Sequence, residues 1–238
     1  MKKTLILIIA LLFTSAAYSR PVAVDASVEL NAAYVWRGMK VCGLNAAPSL
    51  SLTSGAVTFQ SYGYLALDNS YKEIDLDLSY KYRDFSFHVA DYFYQGTAIP
   101  YPENYFDFSK AGTTHISEAI ICYDCPYIPL NAKWFTFFFG DWLPQSDGTR
   151  GDPTFSSYFE LEAYHDFMNG GRLSAFAGLS ILKGQYTDYQ SDFAFVHLEC
   201  RYTRTLLLES IHIPLTFSYV LNPWSGASYM NAGFGLRF

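Results

Sequence analysis

Beyond Phe13 the chain has no apolar run approaching the ~20 residues that a membrane-spanning helix needs. No later segment sustains a helical repeat of apolar positions, so a helical fold has no support. Basic clusters are also missing, and the formal net charge is −6, which argues against nucleic acid as a partner. Cysteine is scarce, with four residues. Cys122-Tyr123-Asp124-Cys125 is a C-x-x-C pair without the second pair that zinc would need. No βαβ unit surrounds it, as a redox motif would require. In an oxidising compartment a local disulfide is open to it, provided the strand has ended by Cys125. Cys42 and Cys200 are expected to stay unpaired. His88, His115, His165, His197 and His212 show no metal spacing, so no cofactor is expected.

What is present is alternation. Half the residues are hydrophobic, and Tyr and Phe number twenty each, a loading that favours strands. It also suits the aromatic girdles of a membrane barrel. In Lys72 to Arg83, Ile74, Leu76, Leu78, Tyr80 and Tyr82 share one face, and Glu73, Asp75, Asp77, Ser79, Lys81 and Arg83 share the other. Ala26 to Arg37 reads the same way, with Val28, Leu30, Ala32, Tyr34 and Trp36 outward and Glu29, Asn31 and Arg37 inward. Tyr158 to Phe167, Arg172 to Ile181, Ala194 to Thr203 and Ile213 to Leu221 repeat the pattern, with Val196 placed outward and His197 inward. Further strands are expected at 47–53, 57–68, 85–95, 115–124, 132–142 and 229–238, twelve in all, with ten or fourteen as alternatives. Trp134 to Phe139 is aromatic on both faces and cannot be oriented. Asp91 interrupts the apolar face of Phe85, Phe87 and Val89, and a bulge there would return it to the inside.

The ends and the connections point the same way. Lys2 and Lys3 precede an apolar run from Leu5 to Phe13, and the small Ala17 and Ser19 mark a cleavage site after Ser19. Residues 1–19 are therefore expected to be a signal peptide, and 20–238 one domain. Its removal takes away two lysines and no acid, leaving a formal charge of −8. No Cys follows the cleavage site, so a lipid-anchored form is not expected. The last strand puts Met230, Ala232, Phe234, Leu236 and Phe238 on one face. Its terminal Phe238 is similar to the sorting signal read by the bacterial barrel-assembly machinery. From an amino terminus on the periplasmic side, Gly38–Ala46, Gly96–Thr114, Leu143–Ser157 and Leu182–Ser191 all fall outside, and they are long. The inner connections are mostly short, Cys125–Asn131 excepted. Long outer loops and short inner turns are expected of an outer-membrane barrel, not of a soluble sandwich.

The fold class is thus an all-β transmembrane antiparallel up-and-down barrel, in the outer membrane of a diderm bacterium and in contact with its lipid. Asn31-Ala32-Ala33-Tyr34-Val35-Trp36-Arg37-Gly38-Met39, with Pro48-Ser49-Leu50-Ser51-Leu52, resembles the opening of TorF-type porins. Lys72-Glu73-Ile74-Asp75-Leu76 and Ala90-Asp91-Tyr92-Phe93-Tyr94 are also similar to that family. The resemblance implies a twelve-stranded barrel with a pore role, and it brings no catalytic residues.

Charges that face lipid cost up to ~2–4 kcal/mol at mid-membrane, so the acids are expected inward. Glu29, Glu73, Asp75, Asp77, Glu160, Glu162 and Glu199, with Arg37 and Arg201, are the candidate lumen and selectivity residues. Two readings stay open: an acidic pore that passes small solutes or ions, or a lumen filled by salt bridges. The second would make a closed structural barrel that acts through its outer loops. A plug domain before the barrel and an anchoring domain after it are not expected, nor is energised uptake of large ligands. Pro100-Tyr101-Pro102-Glu103-Asn104-Tyr105-Phe106-Asp107-Phe108 is an aromatic outer loop suited to constricting the mouth or binding a partner. His115-Ile116-Ser117 is similar to the His-x-Ser pair of outer-membrane phospholipases. The orienting Asn131 stands about ten residues away along the strand direction, at ~3.3 Å each, so no enzyme is expected.

Overall fold

The computed structural model describes residues 21–97, 104–209 and 211–238. The expected signal peptide and Pro100 to Glu103 lie outside the described residues. The chain forms β1 (Ala23–Asn31), a hairpin of β2 (Tyr34–Trp36) and β3 (Met39–Cys42), then β4 (Asn45–Ser54) and β5 (Val57–Ala66). Next come β6 (Tyr71–Tyr82), β7 (Phe85–Gly96), β8 (His115–Asp124) and β9 (Leu130–Phe139). A second hairpin, β10 (Trp142–Pro144) and β11 (Arg150–Pro153), precedes β12 (Ser157–Asp166) and β13 (Gly171–Ser180). A 3₁₀ turn at Gln185–Thr187 leads to β14 (Ala194–Leu208), β15 (Ile211–Asn222) and β16 (Ala227–Arg237).

Twelve of these strands close into one barrel in the order β1-β16-β15-β14-β13-β12-β9-β8-β7-β6-β5-β4, every neighbour antiparallel. Closure removes the sheet edges, so each barrel strand has a partner on both sides. β1 meets β16 with Leu30 opposite Phe234, and Phe238 N–H donates to the Ala26 carbonyl at 2.8 Å. The two faces separate as the alternation requires. On β6, Ile74 and Tyr80 are about half exposed on the outer wall, whereas Glu73 and Asp75 are buried inside. Trp134 and Phe138 point outward and Phe137 inward, which orients the aromatic run of β9.

Three expectations are corrected. The first barrel strand ends at Asn31, not Arg37. Ala33 N–H donates to Asn231 Oδ1 at 2.9 Å, and the chain then leaves the wall. Tyr34 and Trp36 are therefore lumenal, in a hairpin turned at Arg37 (φ 48°) and Gly38 (φ 82°). Gly38 is required there, because a Cβ would strike the Val196 carbonyl. Val196 is not on the outer face either. Gly178 pairs with His197 and Leu179 with Phe195, so Val196 is the extra residue of a bulge and turns inward, fully buried. Asp91, in contrast, has no bulge. It pairs in register with Leu76 and Ser117 and stays on the outer wall.

Candidate functional site: the barrel lumen

The first outer connection crosses the lumen. β8 lies five strands from β1 one way round the barrel and seven the other, so Arg37 reaches the far wall. Its Nη1 and Nη2 donate to both carboxylate oxygens of Glu118 at 2.6 and 2.7 Å. Nη1 also donates to Tyr186 Oη from the 3₁₀ turn. The guanidinium lies over Phe135 at 3.9 Å and over Trp36 at 4.4 Å from the ring centroids. Tyr92 Oη donates a third bond to Glu118 at 2.8 Å. The pair is sealed from water: Arg37 is 7% exposed and Glu118 0%. Around it an apolar cluster of Phe137, Tyr158, Tyr186, Ala194 and Val196, with Trp36, Met39 and Ile116 against it, fills this part of the lumen.

A charge buried so fully is tolerated because the fork of Arg37 matches the carboxylate and the remaining lone pairs are taken. The hairpin is thus held by one bidentate pair embedded in aromatic rings. Asn222 Nδ2 donates to the Gly38 carbonyl at 3.3 Å and steadies its tip.

Two connected-wall chambers lie beside and below the hairpin. The larger, about 580 Å³, runs from Asp25 and Arg237 at the rim that carries the carboxy terminus past Glu29, Gln60 and Arg201 to Tyr34. The smaller, about 340 Å³, is lined by Asp75, Asp77, Tyr62, Tyr64, Tyr92 and the hairpin. Their walls carry most of the charges expected from the sequence. Asp77 is bonded to His88 Nδ1 at 3.1 Å, Glu160 lies 3.7 Å from Lys133 Nζ and 3.5 Å from His197, and Glu199 is forked by Arg201 at 2.7 and 2.8 Å. Glu162 accepts from Ser174 Oγ and Asn131 Nδ2. At the end of the barrel that carries the carboxy terminus, Arg172 bonds Asp166 at 2.6 Å and Arg237 bonds Asp25 at 2.8 Å. Among the described residues, Glu29, Glu73, Asp75 and Glu162 have no basic partner.

Outside the barrel, Asp91 accepts from His115 Nδ1 at 2.7 Å and from Ser117 Oγ at 2.9 Å. His115 Nε2 is engaged by the Tyr105 carbonyl at 2.6 Å, and Phe108 stacks on its ring at 4.4 Å. The described part of the loop before β8 therefore lies against the outer wall. Among the described residues, the hairpin of the first connection crosses the lumen, whereas Tyr105 and Phe108 lie against the outer wall. Ser117 donates to the acid and not to the imidazole, so a nucleophile–base bond is not made. Asn131 lies at the start of β9, paired with Asp124 and Glu162. All four cysteines are free, so Cys122 and Cys125 are not bridged. Cys200 is exposed and Cys42 buried in the hairpin.

No protein-family model and no curated protein sequence matches the chain. Solved structures do match in fold. An outer membrane channel of Pseudomonas putida F1 superposes with a TM-score of 0.51 at 11% identity, covering 90% of this chain and 94% of the channel. The KdgM porin gives 0.49 at 8% identity over 92% and 98% of the two chains. The NanC porin gives 0.47 at 9% identity over 91% and 99%. This chain has the fold of an outer-membrane channel. At these identities the likeness speaks to the fold. Sequence reasoning placed Trp36 outward and Tyr186 in an outer loop and gave Tyr92 no role, whereas all three surround the Arg37–Glu118 pair.

Proposed function

We propose that the protein is a narrow porin-like channel of the outer membrane, with an acidic lumen for small solutes or ions, gated by the hairpin that Arg37 holds. The observation that carries this reading is the pair of polar chambers inside a closed barrel, one of them reaching the rim that carries the carboxy terminus. A barrel meant only as a structural post gains nothing from an unfilled polar interior, because small barrels can be filled by side chains. Arg37, Lys133, Arg201 and Arg237 each pair with an acid, while Glu29, Glu73, Asp75 and Glu162 have no basic partner among the described residues. The balance therefore favours cations. The TorF-type resemblance agrees with a pore and rests on its short motifs.

The closed-barrel reading has one observation in its favour, the apolar cluster around Arg37. Efflux separates the two. Liposomes that hold purified protein and are loaded with potassium are expected to release it well above protein-free liposomes, and faster than they release chloride. Release no faster than from protein-free liposomes, with the protein folded, would favour the closed barrel.

Assembly gives a further expectation. Phe238 is 76% exposed on the outer wall and pairs beside Ala26 at the closing seam. Deleting it, or placing a charge there, is expected to leave periplasmic or degraded chains and to abolish heat-modifiable gel mobility. Normal outer-membrane levels of that variant would remove Phe238 as an assembly signal for the barrel-assembly machinery.

A further inference from the structure

The two chambers meet at one level of the lumen, where Tyr62, Glu199 and Arg201 line both of them. Tyr62 on β5 and Arg201 on β14 stand five strands apart one way round the barrel and seven the other, so they face each other across the lumen. Tyr62 points inward yet is 36% exposed, and among the described residues no other ring packs on it. An aromatic face is thus left bare in a polar cavity. On the opposite wall both oxygens of Glu199 accept from Arg201 Nε and Nη2, which leaves Arg201 Nη1 free among the described residues.

Beside this pair the wall is built from alcohols. Ser218 stands opposite Arg201, and Thr216 opposite Thr203, on the β14–β15 pair. All three hydroxyls line the larger chamber, and among the described residues they make no hydrogen bond. Each hydroxyl both donates and accepts. Charge at this level is nearly balanced. Glu199 is matched by Arg201 and Asp25 by Arg237, so Glu29 is the one excess acid around the larger chamber. That excess opposes an anion, and among the described residues no three His, Cys, Asp or Glu side chains converge as a metal cage. The occupant that fits carries no charge, has many groups that donate and accept, and has one apolar face. A sugar ring has all three properties. The larger chamber, about 580 Å³, also falls within the usual range of ligand pockets.

We infer that the junction of the chambers binds a neutral saccharide, with the C–H face of a ring on Tyr62 and its hydroxyls on Thr203, Thr216, Ser218 and the Arg201–Glu199 pair. This names a solute class for the proposed channel and rests on that reading for the route of entry. Binding itself needs no conduction, so the two stand or fall separately.

Saturation-transfer NMR on the full-length folded barrel, in dodecyldimethylamine oxide as a detergent without sugar, tests it with maltose and lactose. Saturable transfer to the ring protons is expected for wild type. Tetraethylene glycol, whose ether oxygens accept but do not donate, is expected to show much weaker transfer. Tyr62→Ala is expected to weaken maltose binding about tenfold. Thr216→Val with Ser218→Ala is expected to weaken it by a similar factor, about tenfold for two lost hydrogen bonds. Tyr127→Ala, in the exposed turn between β8 and β9, is expected to bind as wild type does. No transfer to either sugar, equal transfer to the glycol, or unchanged affinity in either lumenal variant would overturn the assignment. Should Tyr62→Ala fail to fold, the Thr216–Ser218 variant and the glycol comparison decide. Maltose binding by a barrel that is silent in a bilayer would keep this site and remove the channel. Conduction without maltose binding would overturn the site and keep the channel.

Discussion

Arg37→Ala is expected to release the hairpin and hold the barrel open. The substitution leaves Glu118 buried with no counter-charge, a loss of about 3–5 kcal/mol when one partner of a buried pair is removed. The barrel wall does not have to absorb that cost. Glu118 belongs to a strand paired on both sides, whereas Arg37 sits on a short hairpin whose withdrawal lets water reach the carboxylate. The docked-to-undocked ratio should therefore fall by roughly two to three orders of magnitude, at about 1.4 kcal/mol per tenfold. The fraction of time spent open in single-channel records reads this directly. Glu118→Ala should act in the same direction, and the double variant should add little, because both single changes break one interaction. Equal open fractions in wild type and Arg37→Ala would mean that the pair does not hold the gate.

The second large effect concerns charge. Glu73→Gln with Asp75→Asn removes two lumenal acids that no base offsets. In a narrow lumen walled by low-dielectric protein, such charges set the local potential well beyond their contact distance. The reversal potential in a salt gradient is expected to move toward that of an anion-selective channel. The shift should shrink as salt rises, since the Debye length falls from ~10 Å at 0.1 M to ~3 Å at 1 M. Asp77→Asn alone should move it less, because Asp77 is bonded to His88. A reversal potential untouched by the double substitution would mean that Glu73 and Asp75 carry no charge or lie off the conduction path.

The barrel was legible because a wall with lipid outside and water or side chains inside forces a period of two on every strand. The twelve strands follow from that rule. It failed where a strand segment belongs to another sheet. Tyr34 and Trp36 keep the alternation of Val28 and Leu30, yet they belong to the lumenal hairpin, and periodicity does not say which neighbour a strand takes. Val196 was misplaced for a related reason, since a bulge shifts the parity of one residue without changing composition. Asp91 failed the other way. Its outward position is accommodated by His115 and Ser117 from the next strand and by cover from Tyr105 and Phe108, partners 14 to 26 residues distant that alternation does not contain. The row of Glu73, Asp75 and Asp77 was visible, but its pairing was not. His88 answers Asp77 across the β6–β7 pair, and nothing in the spacing tells that Asp75 goes without.

The gate claim is met most directly by removing the hairpin. Asn31 and Asn45 pair across β1 and β4, so their ends are adjacent and a short Gly-Ser turn can replace residues 34–42 without stretching the wall. Single-channel current through that variant and through wild type, each reconstituted alone in a planar bilayer, is the decisive comparison. Brief, small openings are expected for wild type, and a larger, persistent, cation-favouring conductance for the variant. A variant that is folded in the bilayer yet conducts no more than wild type would contradict a channel gated by the Arg37 hairpin.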